Sequence, residues 1–291
     1  MPIINDPNTE YKMYQQGEVD FAGNPSGKLP LTAIPALKQK GELKAEYMGG
    51  TYYYTFNTKK KPFNNANIRK AFTYAINRKA IVENITKAGE VPAMTYVSPT
   101  IWDDAKPYFK DNDIKKAKEL LQEGLEELGY SSVKDFPAIT LSYNTSDEHA
   151  AIAQAIQDMW KKNLGVNVKL ENNEWGVYLD KLAAGNYQVG RLGNSVTVAD
   201  AYSILETYQV LSGDNYTNWT NPEFNKYMKA STTETDAVKR KELLKQAEGI
   251  LMDEMPILPI YYYMSAYVQQ NYVHDIVVRN GFIQLKWAYI K

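Results

Sequence analysis

The sequence predicts an α/β fold, because amphipathic helices alternate along the chain with short apolar strands. The clearest unit lies between residues 139 and 170, where a strand, a helix and a second strand follow one another at the spacing of a β–α–β crossover. The chain has 291 residues, 44% of them hydrophobic, which is enough for a sizeable core and for two domains at most.

The N-terminal part of the chain is predicted to contain short elements. A helical pattern ends at Gly17, and Val19 and Phe21 then alternate as in a strand. The apolar segment Ile34 to Leu37 is compatible with a short helix. Residues 47–58, rich in Tyr and Phe around a Gly-Gly pair, predict a longer strand.

Two amphipathic helices follow. Asn64 or Asn65 can cap the first, whose apolar residues recur at three- and four-residue spacing as far as Ile81. Asp113 caps the second helix, and Gly129 ends it.

The β–α–β unit begins with alternating apolar residues at 139–143. Its helix is capped by Ser146 and stopped by Gly165, and its second strand covers residues 166–170. We expect the two strands to be parallel. The remaining predicted elements are a helix at 175–184, a strand at 187–191, helices at 200–211, 222–230 and 234–252, and a strand at 257–263.

The composition excludes several classes of protein. With 33 Lys and Arg against 34 Asp and Glu, the formal net charge is −1, which argues against nucleic-acid binding. The absence of Cys excludes disulfides and Cys-based zinc sites, and two His argue against a metal centre. Residues 256–268, the most hydrophobic stretch, are too few to span a membrane, and the N-terminus has no export signal.

Sequence patterns typical of catalysis are absent. The chain has no GxGxxG, Walker A, HExxH or GxSxG motif. His149 directly follows Glu148 on a predicted helix, so their side chains point about 100° apart and cannot share a ligand. Spacing alone predicts that His149 is an exposed helical residue. We therefore expect no enzyme, no cofactor and no metal.

Three ordered blocks resemble one protein family. They are YYYTFN at residues 52–57, KPFNNANIRKAFTYAINR at 61–78 and GEVPA at 89–93. Together they are similar to the oligopeptide-binding family of solute-binding proteins, which serve ABC importers. The likeness continues through residues 141–147, 160–175 and 256–263, and so extends over nearly the whole chain.

The resemblance implies a fold and a domain division. Family members have two lobes that close on a peptide, with the second lobe inserted within the first. This chain is therefore expected to be a periplasmic-binding-protein-like (class II) second lobe with short remnants of the first lobe. Residues 1–52 are expected to form a remnant of lobe I leading to the hinge, 53–279 the ligand-binding lobe II, and 280–291 the return strand to lobe I. The resemblance also implies a C-terminal fragment of a longer protein.

In this family a bound peptide pairs as an extended strand with an Arg-x-Gly element and the residues after it. The resemblance assigns that element to Arg191 and Gly193, followed by Asn194 and Ser195. Such a site uses its directional hydrogen bonds on the peptide backbone and leaves the ligand side chains in hydrated pockets. Without the resemblance, the stretch is equally compatible with an ordinary strand-to-loop junction.

Other positions match pocket residues of the family. Arg191 and His149 correspond to basic residues near ligand carboxylates. Tyr54 and Asn57 lie in the hinge-side strand, where they either meet the ligand or stabilise the lobe junction. The residues that correspond to side-chain pockets, and that are equally compatible with a core, are Trp175, Tyr178 and Leu179.

One position departs from the family. Many members carry an Asp that pairs with the ligand α-ammonium where this chain has Thr197. A hydroxyl does not replace a buried carboxylate as a counter-ion. Asp200 either takes over that role or caps a helix. The alternatives are peptides whose N-terminus is not held and ligands that are not ordinary peptides.

The leading hypothesis is an extracytoplasmic, non-catalytic protein that captures oligopeptides and delivers them to the permease subunits of an ABC transporter. It is expected to be a Gram-positive cell-surface lipoprotein or a periplasmic protein, to reach the membrane only through a lipid anchor absent from this chain, and to bind no nucleic acid. The alternatives are a binding protein for a non-peptide solute or a signalling peptide, and an isolated interaction lobe without ligand affinity.

Overall fold

The computed structural model describes residues 4–24, 27–194, 198–209, 212–279 and 282–291, with the backbone alone of Arg279 and Ile283. The helices are α1 (Pro7–Gln15), α2 (Ile34–Lys40), α3 (Ala66–Tyr74), α4 (Arg78–Ile81), α5 (Ile114–Leu128), α6 (Asp147–Leu164), α7 (Trp175–Ala183), α8 (Ala201–Leu205), α9 (Pro222–Ser231) and α10 (Ala237–Glu254). The strands are β1 (Phe21–Gly23), β2 (Lys44–Phe56), β3 (Val91–Pro92), β4 (Ile139–Asn144), β5 (Val168–Asn173), β6 (Val189–Gly193), β7 (Ile257–Gln269), β8 (Val273–His274), β9 (Val277–Arg279), β10 (Phe282–Gln284) and β11 (Tyr289–Ile290).

A mixed sheet organises the described part of the chain. Its order is β1-β7-β2-β6-β4-β5, with β3 added to β7. Strand β4 is parallel to β5 and β6, whereas β2 is antiparallel to β6 and β7. The predicted β–α–β unit is confirmed, because β4 and β5 pair in parallel from Ile139 and Val168 onward, with α6 between them in the sequence.

Side chains of β2 alternate between two helical layers. Tyr52 and Tyr54 face a core that contains residues of α3, α5 and α6, whereas Tyr53 faces a core that contains residues of α8, α9 and α10. Trp160 of α6 is fully buried in the first core and donates a hydrogen bond from Nε1 to Phe72 O at 2.8 Å. The sheet therefore lies between two apolar layers, which fix the position of β6.

The helix predicted to continue as far as Ile81 is wrong in its extent. Helix α3 ends at Tyr74, and Asn77 then accepts a hydrogen bond from Ala80 N at 2.8 Å and begins α4. An Asn side chain that takes a backbone amide in this way favours a new helix start over continuation of the old helix. Three predicted capping positions are held by Asn65, Asp113 and Gly129.

Two further boundaries differ from the prediction by more than three residues. The strand predicted at 257–263 continues to Gln269, because β1 and the first half of β2 pair with its second half. The helix predicted at 200–211 ends at Leu205 and passes into a 3-10 turn, while residues 210 and 211 lie outside the described residues.

A buried carboxyl on α10 anchors the segment after β3. Glu248 is 1% exposed, and its Oε1 accepts hydrogen bonds from Tyr96 N at 2.8 Å and Val97 N at 2.7 Å. The hydroxyl of Tyr108 donates to Oε2 at 3.1 Å. Burial raises the pKa of Glu248 to about 7, and these hydrogen bonds offset only part of that effect. The carboxyl therefore titrates near neutral pH.

We expect the Glu248 carboxyl to make the stability of the chain fall as the pH rises. Its pKa is about 7 in the folded chain against an ordinary 4.5, so its contribution is fully present below pH 4.5 and is lost as the pH rises through 7. Relative to Glu248→Gln, the free energy of unfolding of the wild type should decrease by about 3 kcal/mol from pH 4.5 to 8. Urea denaturation at several pH values measures this, with Glu242→Gln, an exposed position on the same helix, as the control. A difference that is constant with pH would contradict the expectation.

Candidate ligand-binding site

A cavity of about 260 Å³ lies where β6 ends beside the N-terminal segment. Its wall combines charged, amide and aromatic side chains, and the residues that matter below are Lys28, Glu148, Trp175, Arg191, Asn194 and Tyr263. Trp175 is 50% exposed at this wall, and Leu179 lies half-buried one turn further along α7. Positively charged, negatively charged and aromatic side chains therefore line the same cavity.

Arg191 is a fixed cation in this wall. It lies on β6 opposite Tyr54, and its guanidinium carbon is 4.5 Å from the centroid of the Tyr52 ring. Nη2 donates to Tyr263 Oη at 2.6 Å and Nη1 to Asn144 Oδ1 at 3.3 Å, whereas the buried Nε has no partner among the described residues. Burial lowers the pKa of Arg191, but the neighbouring tyrosines and Glu148 outweigh it and raise the pKa overall. Arg191 is positioned to receive an anionic group.

His149 lies beneath the cavity rather than on an exposed helix face, so the spacing-based prediction is wrong. It is 4% exposed in the first turn of α6, with Nδ1 3.3 Å from the hydroxyl of Tyr52. Burial lowers the pKa of His149 to about 2, and the charges of Arg191 and Lys28 add to that effect. The imidazole is therefore neutral at physiological pH and offers a hydrogen bond rather than a charge.

Tyr178 lies in the wedge where β4 and β6 separate. In the described sheet these strands pair at two positions, the second being Ser142 opposite Gly190. Beyond them the hydroxyl of Tyr178 is 2.7 Å from Arg191 O and 3.3 Å from Ser142 O. Gly190 leaves room for it, because a Cβ there would lie 3.1 Å from the hydroxyl. The end of β6 from Arg191 onward is consequently not paired with β4.

The end of β6 is held to β2. Asn194 N donates to Thr51 O at 3.2 Å, and Thr51 N donates to Asn194 Oδ1 at 2.6 Å. A Cβ at Gly193 would collide with the hydroxyl of Tyr263, so glycine is required there. The next predicted contacts, Ser195 and Thr197, lie outside the described residues.

Tyr54 and Asn57 lie in packing positions. Tyr54 is fully buried, and its hydroxyl has no hydrogen-bond partner among the residues that the structure describes. Asn57 donates from Nδ2 to Gly185 O at 3.1 Å and Tyr187 O at 3.2 Å. It joins the end of β2 to the turn after α7. These contacts favour the stabilising role for the pair, and contact with a ligand stays a prediction.

Asp200 is engaged away from the cavity wall. Its Oδ1 accepts a hydrogen bond from Tyr202 N at 3.0 Å and thereby caps α8. Arg240 holds the same carboxylate through Nη1 at 3.1 Å and Nη2 at 2.8 Å. Asp200 thus caps a helix, and its pairing with a ligand α-ammonium stays untested.

Lys28, Glu148 and Tyr263 are among the wall residues that were not predicted from the sequence as site residues. Lys28 and Glu148 are 120 residues apart, so no local pattern connects them. For Tyr263 a signal was present, because Tyr261 and Tyr263 alternate along β7 beside the tyrosines of β2. Two strands rich in tyrosine that pair with each other place hydroxyls along one face.

The described residues form neither a metal-binding cluster nor a membrane-spanning helix. No group of three or more His, Cys, Asp and Glu side chains in those ranges is arranged to hold a metal ion. Within the same ranges, no helix combines the length and apolar character needed to cross a bilayer.

The chain is similar to known proteins along its length. The family model for bacterial extracellular solute-binding proteins, family 5 Middle, matches residues 1–216. The oligopeptide-binding protein OppA of Bacillus subtilis is 50% identical over 296 residues, covering 100% of this chain and 54% of the relative. The chain thus spans about half the length of the curated relatives it matches.

The fold also matches solved structures. The structure of a periplasmic oligopeptide-binding protein, OppAIV, from Borrelia burgdorferi has a TM-score of 0.86 at 29% identity, covering 99% of this chain and 57% of that one. Haemophilus influenzae OppA in complex with RPPGFSPFR has a TM-score of 0.82 at 30% identity, covering 98% and 56%. These matches confirm the predicted α/β class and the class II periplasmic-binding-protein-like lobe.

Proposed function

The chain belongs to family 5 of the bacterial extracellular solute-binding proteins, and from this membership we propose that the natural polypeptide containing it captures oligopeptides and delivers them to the permease of an ABC importer. We place this activity outside the cytoplasm, in a lipid-anchored cell-surface protein or a periplasmic one. The activity is binding without catalysis. Residues 1–52 and 280–291 are proposed as parts of lobe I, and residues 53–279 as lobe II, with the boundary at residue 52 inside β2.

The observation that carries the proposal is the fixed cation beside the end of β6, whose edge on the β4 side has no strand partner beyond Gly190 in the described sheet. Arg191 lies in the cavity wall, and Tyr178 keeps the end of β6 apart from β4. An extended peptide can add to a free strand edge through main-chain hydrogen bonds, and its carboxylate suits the guanidinium. The geometry therefore matches an extended ligand with an anionic end.

The proposed site residues fall into two groups, those that contact the ligand and those that act without direct contact. We assign direct contact to Arg191, Gly193, Asn194 and Trp175, which line the cavity. Leu179, Ser195 and Thr197 remain proposed contacts next to them. Five further residues are proposed to act without direct contact: Tyr54, His149 and Tyr178 next to the wall, and Asn57 and Asp200 in the surrounding turn and helix cap.

Identification of the natural ligand tests the proposal. The polypeptide containing this chain is purified from its native host, and the bound material is released by acid and identified by mass spectrometry. We expect a mixture of short peptides, and calorimetry with a mixed peptide library should show heat of binding. Copurification of a sugar oligomer or a metal chelate, together with no heat from any peptide of two to ten residues, would overturn the proposal in favour of a non-peptide solute.

A further inference from the structure

The cavity wall contains an ion pair that the proposed function does not use. Lys28 Nζ lies 3.0 Å from Glu148 Oε2, and the two side chains are 50% and 16% exposed. Lys28 belongs to the segment between β1 and α2, and Glu148 to the first turn of α6. The carboxylate is therefore part of the wall, whereas the lysine reaches it from a half-exposed position.

Glu148 is held as an anion. The hydroxyl of Tyr261 donates to its Oε1 at 2.8 Å, which leaves Oε2 for a cation. Burial raises the pKa of Glu148, but the charge of Lys28, the hydrogen bond from Tyr261 and the charge of Arg191 outweigh it and lower the pKa overall. The Tyr261 hydroxyl therefore holds Oε1, and Oε2 faces the Lys28 ammonium.

Other carboxylates near the site are already engaged. Asp200 is bound by Arg240 and caps α8. Glu90, also in the wall, accepts hydrogen bonds at Oε2 from a threonine hydroxyl at 2.8 Å and a backbone amide at 3.0 Å within its own turn. Glu148 differs because its partner at Oε2 is the end of a long side chain.

We propose that Glu148 is a cation-recognition residue for the ligand, and that Lys28 occupies in the free protein the position that a ligand ammonium or guanidinium takes in the complex. The inference rests on the proposed function and names its substrate class: peptides that carry a positive charge. Lys28 is half exposed and its ammonium can return to water, whereas the Glu148 carboxylate, 16% exposed, keeps a cationic partner throughout the exchange. The ligand cation then makes the same charge-assisted hydrogen bond to Oε2 while Lys28 returns to water.

The proposal predicts effects of opposite sign for the two partners. Calorimetry of the natural polypeptide containing this chain uses three alanine-based pentapeptides: one with a central Lys, one with norleucine there, and the Lys peptide N-acetylated. Glu148→Gln should weaken binding of the lysine peptide by about tenfold and change the norleucine peptide by less than about twofold if the side chain is recognised. Lys28→Met should strengthen binding of the same cationic peptide by about threefold, because an internal competitor is gone.

The arms of the experiment distinguish the sources of the cation. If acetylation rather than norleucine abolishes the effect of Glu148→Gln, the α-ammonium is the group recognised, and either result supports the proposal. Lys79→Met and Glu83→Gln, which remove an exposed pair 3.8 Å apart outside the cavity wall, are the matched controls and should change no affinity. Circular dichroism checks that each variant is folded.

Three results would overturn the inference. If Glu148→Gln and Lys28→Met weaken all three peptides equally, the pair is structural only. If peptides bind without any charge preference, the inference fails while the proposed function stands. If no peptide binds, the proposed function fails and the inference with it.

Discussion

Replacing Arg78 with alanine should lower the free energy of unfolding by about 3–5 kcal/mol. Arg78 is fully buried, and it donates hydrogen bonds from Nε to Pro259 O at 2.7 Å and from Nη2 to Thr73 O at 3.2 Å. Nη1 pairs with Asp111 Oδ1 at 3.1 Å, and the guanidinium carbon lies 4.6 Å from the Phe109 ring centroid. The variant leaves a cavity and removes the donor from the buried carbonyls of Pro259 and Thr73. Asp111 loses its charged partner and, among the described residues, keeps only the backbone amides of residues 78 and 79 as donors.

Chemical denaturation of the 291-residue chain measures this loss. The adjacent Lys79→Ala is the control, since its side chain is 71% exposed and should change the free energy of unfolding by no more than about 0.5 kcal/mol. Arg78→Lys keeps the charge but not the planar fork, and should fall between the two. A loss below about 1 kcal/mol for Arg78→Ala would show that the guanidinium does not hold α4 to β7.

Arg191→Gln should weaken peptide binding by about 30-fold or more, corresponding to about 2 kcal/mol. Arg191 contributes a guanidinium to the cavity wall. This group lies over the Tyr52 ring and donates a hydrogen bond to the hydroxyl of Tyr263. Loss of a desolvated charge leaves the ligand carboxylate without a counter-ion. Calorimetry with the natural polypeptide containing this chain gives the affinity directly.

The same experiment with a C-terminally amidated peptide isolates the charge pair. Amidation should weaken binding to the wild type but cost nothing further in Arg191→Gln, because the interaction has already been removed. Losses that simply add would mean that Arg191 acts through β6 and not on the carboxylate.

Most helices and strands could be predicted because their signals are local. Asp113 and Gly129 delimit α5, and the alternating residues of β4 and β5 lie on either side of one helix. The break at Asn77 was missed because apolar spacing continues through it, while one side-chain hydrogen bond redirects the backbone. A hydrophobic pattern indicates which face of a helix is buried. It does not indicate where a side-chain cap ends one helix and begins the next.

The site was predictable only in part, for a physical reason. The Arg-x-Gly element could be located from sequence, and the requirement for Gly193 appears in the structure as close approach by Tyr263. The burial of His149 and the pairing of Lys28 with Glu148 depend on segments distant in the chain, which local spacing does not record. Tertiary packing buries His149 and keeps it neutral, whereas its spacing along the helix predicted an exposed position.

The pairing of β2 with β7 has a consequence for cooperativity. It runs from Lys44 opposite Tyr267 to Thr55 opposite Ile257, with register shifts between residues 47 and 51 and between residues 52 and 53. The outer half of β7 also carries β1, so the N-terminal segment shares its hydrogen-bond ladder with the main sheet. Among the described residues, melting of β1 would remove hydrogen bonds from the strand whose other half carries Tyr261 and Tyr263 of the cavity wall. Local unfolding of the N-terminal segment and the integrity of the site are therefore linked through β7.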